Sequence, residues 1–337
     1  MNVLVTGGAG YIGAHCCQEL AARGFHPVVY DNLSTGHREH LRWGELFEGD
    51  IGDAAGLDEV CGRYRIAAVM HFAAFIEVGE SVADPLKYYG NNVAGSLQLI
   101  RAMVRHGIPR IVFSSSAAVY GAPRQVPIDE DHPTHPLSPY GRSKLMIETM
   151  LADCEQAYGL RWMALRYFNA AGADPEARIG EWHDPESHLI PRVLDAAWEG
   201  GRPVQVYGAD YPTPDGSCIR DYIHVTDLAR AHVLALERLL AGNSGGAFNL
   251  GQGRGYSVLE VIRQAAQITG GQFPMQTGPR RPGDPPVLIA SNRKAQDLLG
   301  WVPEQSSLKN IIASAWKWHC KMKESARGAR CTAQEQA

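Results

Sequence analysis

Met1-Asn-Val-Leu-Val-Thr-Gly-Gly-Ala-Gly-Tyr-Ile-Gly13 is the stretch that decides the fold. Val3 to Val5 is a short apolar run bounded by glycine and reads as a buried strand. Gly7, Gly10 and Gly13 follow at the spacing G-x-x-G-x-x-G, and Tyr11 to Arg23 reads as an amphipathic helix. A strand, a tight turn and a helix N-terminus present free N–H groups and a positive dipole end to a pyrophosphate. Glycine supplies the turn and lets the backbone approach the phosphates. Taken alone, the same motif is only a tight turn at a strand end. Its position between strand and helix favours the phosphate reading. So does a second apolar run, Pro27 to Tyr30, which ends in Asp31, a carboxylate able to accept both ribose hydroxyls of an adenosine. A carboxylate there repels a 2′-phosphate, so the expected dinucleotide is NAD rather than NADP.

The loop Asn32, Leu33, Ser34, Thr35, Gly36 is polar enough to wrap that ribose. Asp50 follows a short strand, Leu46 to Glu48, and reads either as an adenine contact or as an N-cap for the next helix. Ala67 to Phe72 is another apolar run, leading into Ala73-Ala74-Phe75. Pro85 to Arg105 reads as one long amphipathic helix carrying Asn91 and Asn92. The strand Ile111 to Phe113 delivers Ser114-Ser115-Ser116, and the strand Leu160 to Tyr167 delivers Phe168-Asn169. Strands alternating with helices predict a parallel, doubly wound α/β sheet. Ligands of such sheets gather beyond the carboxyl ends of the strands, where all these loops lie.

Ser138 and Pro139 suit the start of a helix on which Tyr140 and Lys144, four apart, share one face. As a lone pair they read as surface residues. Together with a serine triplet at a strand end and an NAD loop, they can converge in one cleft. From about Ala173 to Ser217 the pattern loosens into an insertion on the sheet. Arg220 to Val225 returns to strand character. Helices are predicted over Asp227 to Leu240, Val258 to Thr269 and Leu308 to Lys323, with a short strand from Ala247 to Leu250. Arg220 and Arg281 are candidates for clamping a second pyrophosphate, since guanidinium forks match phosphate oxygens; the alternative is a pair of solvated arginines.

The 337 residues suffice for a full core, and the net charge of −4 with no basic block argues against a nucleic-acid partner. No apolar run reaches membrane-span length, and the first strand begins almost at Met1 with no secretory leader before it. A cytoplasmic protein without a membrane partner is therefore expected. The seven cysteines show no zinc spacing and read as reduced thiols. No metal site is expected. The tail from about Ser325 is small and polar and reads as disordered.

These residues resemble the UDP-glucose 4-epimerases of the extended short-chain dehydrogenase/reductase superfamily. The glycine loop and Tyr140-x-x-x-Lys144 mark the superfamily. Asp31-Asn32-Leu33, Asn91-Asn92-Val93, Arg166-Tyr-Phe-Asn169, Arg220-Asp-Tyr-Ile-His224 and Arg280-Arg-Pro-Gly-Asp284 are more specific. The resemblance runs from Met1 to about Trp318. It implies a Rossmann domain over 1–172, with returning segments at 221–250. It also implies a smaller mixed α/β substrate domain over 173–220 and 251–323, and a tail from 324.

The implied activity is C4 epimerisation of a UDP-hexose through NAD, in a homodimer built on the helices after Pro85 and Lys144. Tyr140 is implied as acid and base, Lys144 as the group that holds the cofactor ribose and lowers the tyrosine pKa, and Ser116 as the hydrogen-bond partner of the sugar 4-oxygen. Implied cofactor contacts are Gly7, Gly10, Tyr11, Ile12, Gly13, Asp31 to Gly36, Asp50, Ile51, Phe72, Ala73, Ala74, Ile76, Asn91, Ser114, Tyr167 and Phe168. Implied UDP-sugar contacts are Asn169, His188, Leu189, Tyr207, Arg220, Tyr222, Arg281 and Asp284, with Leu288 beside the sugar C2 substituent. Ile76, Ala118 and His188 depart from the lysine, threonine and asparagine found in relatives.

Overall fold

The structure is a computed structural model. It describes residues 1–200, 203–243, 245–272, 274–281 and 284–335, with side chains to 325 apart from that of 199. Pro282 and Gly283 of the Arg280–Asp284 segment, and the last two residues of the expected tail, lie outside the described residues.

Seven strands form one parallel sheet: β1 (Asn2–Thr6), β2 (His26–Asp31), β3 (Glu45–Glu48), β4 (Ile66–His71), β5 (Arg110–Ser116), β6 (Arg161–Tyr167) and β7 (Gly246–Leu250). Their order is β7-β6-β5-β4-β1-β2-β3. Alternate residues of the strands feed two cores. Val3, Val5, Met70, Val112 and Met163 pack on one face with α1 (Tyr11–Ala22) and α5 (Val225–Leu240). Leu4, Val28, Val69, Ile111 and Ala164 pack on the other with α2 (Ala54–Arg63), α3 (Ser96–Arg105) and α4 (Pro139–Tyr158). Burial on both faces is why these strands read as continuous apolar runs. The strand order reverses between β1 and β4, and at that point the loops after β1, β2 and β4 open a crevice.

Two glycines make the first turn possible. Gly7 has φ of +75°, and a Cβ on it would sit 2.6 Å from the backbone nitrogen of Ala73. A Cβ on Gly13 would lie 2.2 Å from the Gly7 carbonyl oxygen, so the helix meets the turn at a distance only glycine allows.

Three features differ from the sequence reading. The segment Pro85 to Arg105 is not one regular helix: Tyr89–Gly95 is a π-helical turn before α3. There the Asn92 carboxamide bonds both the N–H and the carbonyl of Phe75 and reaches Ser143, and an extra residue per turn is the adjustment such an anchor favours. The 173–217 region contains a helix, Leu189–Glu199, and a strand, Val204–Tyr207, that its Pro and Gly content had masked. The last helix runs over Leu308–Glu335 instead of ending at Lys323 before a disordered tail. That tail is alanine-rich and proline-free, so helix propensity outweighs its polarity.

The smaller sheets and helices sit beyond the carboxyl ends of β5 and β6. Asn169–Ala171 pairs with Tyr222–His224, and Ile219–Arg220 lies between Tyr256–Ser257 and Val287–Leu288. A third core joins Leu189–Glu199, Val258–Thr269 and the last helix. Among the described residues no helix is long and apolar enough to cross a membrane.

Candidate active site

A cavity of about 590 Å³ runs from the glycine turn across the ends of β4, β5 and β6 to the strand Val287–Leu288. At one end, α1 begins at Tyr11 behind Gly10, which supplies no side-chain cap, and no acidic residue occupies the first turn. Its leading N–H groups therefore face the cavity as an anion site. Asp31 is buried at the end of β2 and accepts from the N–H of Ala9 (2.9 Å) and Leu33 (2.8 Å). Burial raises its pKa against the lowering by those two N–H groups. The carboxylate is thus fixed, with further lone pairs free to accept hydroxyls.

Asp50 does not cap α2. Its Oδ1 accepts from Gly52 N–H, its Oδ2 accepts from Asn32 at 2.6 Å, and Asp53 is the N-cap. Of the proposed cofactor contacts, Leu33, Asp50 and Lys144 do not line the cavity; all the others do.

At the centre, α4 is capped by Ser138, whose Oγ accepts from Gly141 N–H at 3.1 Å, and Tyr140 and Lys144 are both buried. Lys144 Nζ donates to the Ser114 carbonyl at 2.8 Å and lies 5.8 Å from the Tyr140 ring centre. Burial lowers its pKa to about 7, against a raising contribution from Glu148. Burial also raises the Tyr140 pKa, and a hydrogen bond with Ser116 lowers it. The lowering the sequence reading gave to Lys144 and to a bound nicotinamide ring would add to that of Ser116. Ser114 Oγ and the Tyr167 hydroxyl pair at 2.8 Å beside them.

Behind the serines is a group the sequence reading missed. Ser115 Oγ donates to Glu148 Oε1 at 2.5 Å, and Arg166 grips both oxygens of Glu148 at 3.0 and 2.5 Å. Arg166 also donates to the Tyr120 hydroxyl, which donates to Asn249. Glu148 stands one turn beyond Lys144, so the same helical spacing that pairs Tyr140 with Lys144 could have found it.

At the far end, Asn169, His188, Arg220, Asp284 and Leu288 line the cavity. Arg220 is ion-paired with Asp284. Leu189, Tyr207, Tyr222 and Arg281 are not among the lining residues. Tyr222 is buried in the third core, and the Arg281 guanidinium lies over the Tyr207 ring, 4.2 Å from its centre. Arg220 is thus at the cavity wall, and Arg281 is held on the Tyr207 ring behind it. Arg281 takes its aromatic partner because a guanidinium stacks as readily as it forks.

The family model for the NAD dependent epimerase/dehydratase family matches residues 3–251. A UDP-glucose 4-epimerase of Rhizobium leguminosarum bv. trifolii is 54% identical over 320 residues, spanning 95% of this chain and 98% of the relative. The crystal structure of UDP-glucose 4-epimerase from Brucella ovis in complex with NAD superposes with a TM-score of 0.92 at 53% identity, covering 94% of this chain and 97% of that one. The Bifidobacterium longum enzyme in complex with NAD+ and UDP gives a TM-score of 0.90 at 40% identity, covering 95% and 98%.

Proposed function

Because the chain belongs to the NAD dependent epimerase/dehydratase family, we propose that it interconverts UDP-glucose and UDP-galactose at C4 with tightly bound NAD. One observation carries this: a single cavity joins the uncapped glycine turn, the Tyr140–Ser116 pair and the Arg220–Asp284–Leu288 end. The uncapped N–H groups behind Gly10 and the fixed Asp31 carboxylate fit a dinucleotide with an unsubstituted ribose.

NAD supplies reversible hydride exchange with C4, so that a 4-keto sugar forms and is reduced on its other face. The remaining work falls to the chain's own side chains. Gly7 to Gly13 hold the pyrophosphate, and Asp31 to Gly36 hold the adenosine ribose. Phe72 to Ile76, Asn91 and Phe168 shape the cofactor groove, and Lys144 holds the second ribose. Tyr140 takes the proton of the sugar 4-hydroxyl and later returns it. Ser116 holds the 4-oxygen and shares its hydrogen bond with the phenol. Asn169, Arg220 and Asp284 anchor the UDP, and the sugar is left free to turn.

The seven-stranded sheet serves as the cofactor domain, 1–172 with 221–250, and the remainder to 323 as the sugar domain. Exposed Leu86, Met146 and Tyr158, on the adjacent helices Pro85–Tyr88 and α4, support pairing of these helices with a second copy.

Redox that closes within each cycle has no need to release its cofactor. Protein purified without added nucleotide should therefore yield NAD on denaturation and convert UDP-galactose with none supplied. Empty protein that consumes added NAD stoichiometrically would indicate a dehydrogenase instead.

Leu288 lines the cavity and packs beside Phe168 against Val119 and Tyr120. Leucine is of middle size, and the expected main pair is UDP-glucose and UDP-galactose with weak activity on the N-acetylated pair. A hydrophobic wall discriminates an added group by about 1–3 kcal/mol. Leu288→Tyr should remove the weak activity and spare the main one, and Leu288→Ser should raise it about 10-fold or more. Equal N-acetyl activity in all three proteins would show that Leu288 is not the gate.

A further inference from the structure

The loop between Gly180 and α-helix Leu189–Glu199 carries Glu181, His183, Glu186 and His188 in the order Glu-x-His-x-x-Glu-x-His. One ligand atom from each lies within 4.8 Å of the others. His188 Nδ1 is 2.8 Å from Glu181 Oε1 and 3.4 Å from Glu186 Oε1. His183 Nδ1 is 3.5 Å from Glu181 Oε1 and 3.6 Å from Glu186 Oε2. A tetrahedral centre with bonds of about 2.0–2.1 Å has edges of about 3.3–3.4 Å. Three of these contacts, at 3.4, 3.5 and 3.6 Å, come within a few tenths of an ångström of that, with Glu186 meeting the two histidines through different oxygens.

Direction matters more than distance. Both histidine Nδ1 atoms are buried, and neither makes a hydrogen bond, although carboxylate oxygens surround them. A protonated imidazole in an ion pair aims its N–H along the line to an oxygen. These rings instead hold their Nδ1 atoms close to the carboxylate oxygens without the alignment of a hydrogen bond.

We propose that Glu181, His183, Glu186 and His188 bind one divalent transition-metal cation of the zinc class. Two imidazoles and two carboxylates suit zinc or cobalt, whereas magnesium and calcium take all-oxygen shells. This reverses the sequence expectation of no metal. That expectation rested on cysteine spacing, and this site uses none.

The position gives the cation a purpose. Glu181, His183 and His188 line the same cavity as the glycine turn, and the His183 ring stands edge-on to Tyr11 at 6.4 Å. In the metal-free protein the two carboxylates are balanced by the His183 and His188 imidazoles paired with them. A bound dication takes over that balance and pins the loop against the first turn of α1. His188 then spends Nδ1 on the cation and keeps Nε2 for a ligand in the cavity. The role in the cavity rests on the nucleotide-sugar reading; the binding itself does not.

The test is direct metal binding. Chelator-treated protein with its thiols alkylated is titrated with Co2+ alone and followed by its visible absorption. The expected result is one Co2+ per chain with the intense bands of a tetrahedral centre, displaced by one equivalent of Zn2+. The His183→Ala/His188→Ala protein, its fold checked by circular dichroism, should bind at least about 100-fold more weakly. If that protein does not fold, Glu186→Gln should still weaken binding by about 10-fold or more. Failure of the alkylated wild-type protein to bind Co2+ stoichiometrically would overturn the site. So would undiminished binding by a folded variant, and the cluster would then be an ion-pair network.

Discussion

Tyr140→Phe is expected to lose about 10²–10⁴-fold in turnover while keeping its NAD, because one oxygen is removed and nothing else moves. The ring is only 7% exposed, in a slot shaped by α4, so phenylalanine fills the same volume. What disappears is the atom that exchanges a proton with the sugar 4-hydroxyl and bonds Ser116. Burial holds the phenol above its ordinary pKa and Ser116 pulls it down. Any group that adds positive charge to the pocket pulls in the same direction as Ser116 and favours the phenolate. Ser116→Ala should therefore shift the acidic limb of the rate profile, where the phenolate becomes protonated, toward higher pH, since it deletes a lowering contribution. Near-normal turnover in Tyr140→Phe, measured by NMR on UDP-galactose, would remove Tyr140 from the mechanism.

Glu148→Ala is expected to destabilise the protein by about 3–5 kcal/mol, the usual cost of stranding one partner of a buried ion pair. The Arg166 and Glu148 side chains are 8% and 5% exposed, and Glu148 also receives the Ser115 hydroxyl. Removing the carboxylate leaves a guanidinium in the core whose remaining hydrogen-bond partner among the described residues is the Tyr120 hydroxyl. It also takes away the negative charge that supports protonated Lys144. Urea unfolding measures the loss. The double variant Glu148→Met/Arg166→Met should recover part of it, because the stranded charge goes too. A loss below about 1 kcal/mol would mean that water or a neighbour satisfies Arg166.

Features governed by local rules were legible in the sequence. Gly7 and Gly13 stand where a Cβ would strike backbone, so the G-x-x-G-x-x-G spacing carries its own steric reason. Asp31 ends a strand, and Tyr140 and Lys144 share a helix face; each is a one-dimensional pattern. Ser116 follows from being last on β5.

The parts that were not legible depend on three-dimensional pairing. Glu148 meets Arg166 across α4 and β6. Asn92 bends its helix because Phe75 happens to lie opposite. Arg281 and Tyr222 sit outside the cavity because each has a better partner, a stacked ring for one and the third core for the other. His183 and the two glutamates of the 181–188 loop passed unnoticed, and His188 stood out only as a UDP-sugar contact, because alternating Glu and His in a polar loop look solvated until the chain turns them inward.

The most direct test of the account uses UDP-galactose carrying deuterium on C4 and the enzyme as purified. The account predicts UDP-glucose with C4 inverted and the deuterium still on C4, because the hydrogen leaves and returns as hydride without meeting water. Deuterium lost to solvent, or product with C4 unchanged, would contradict it.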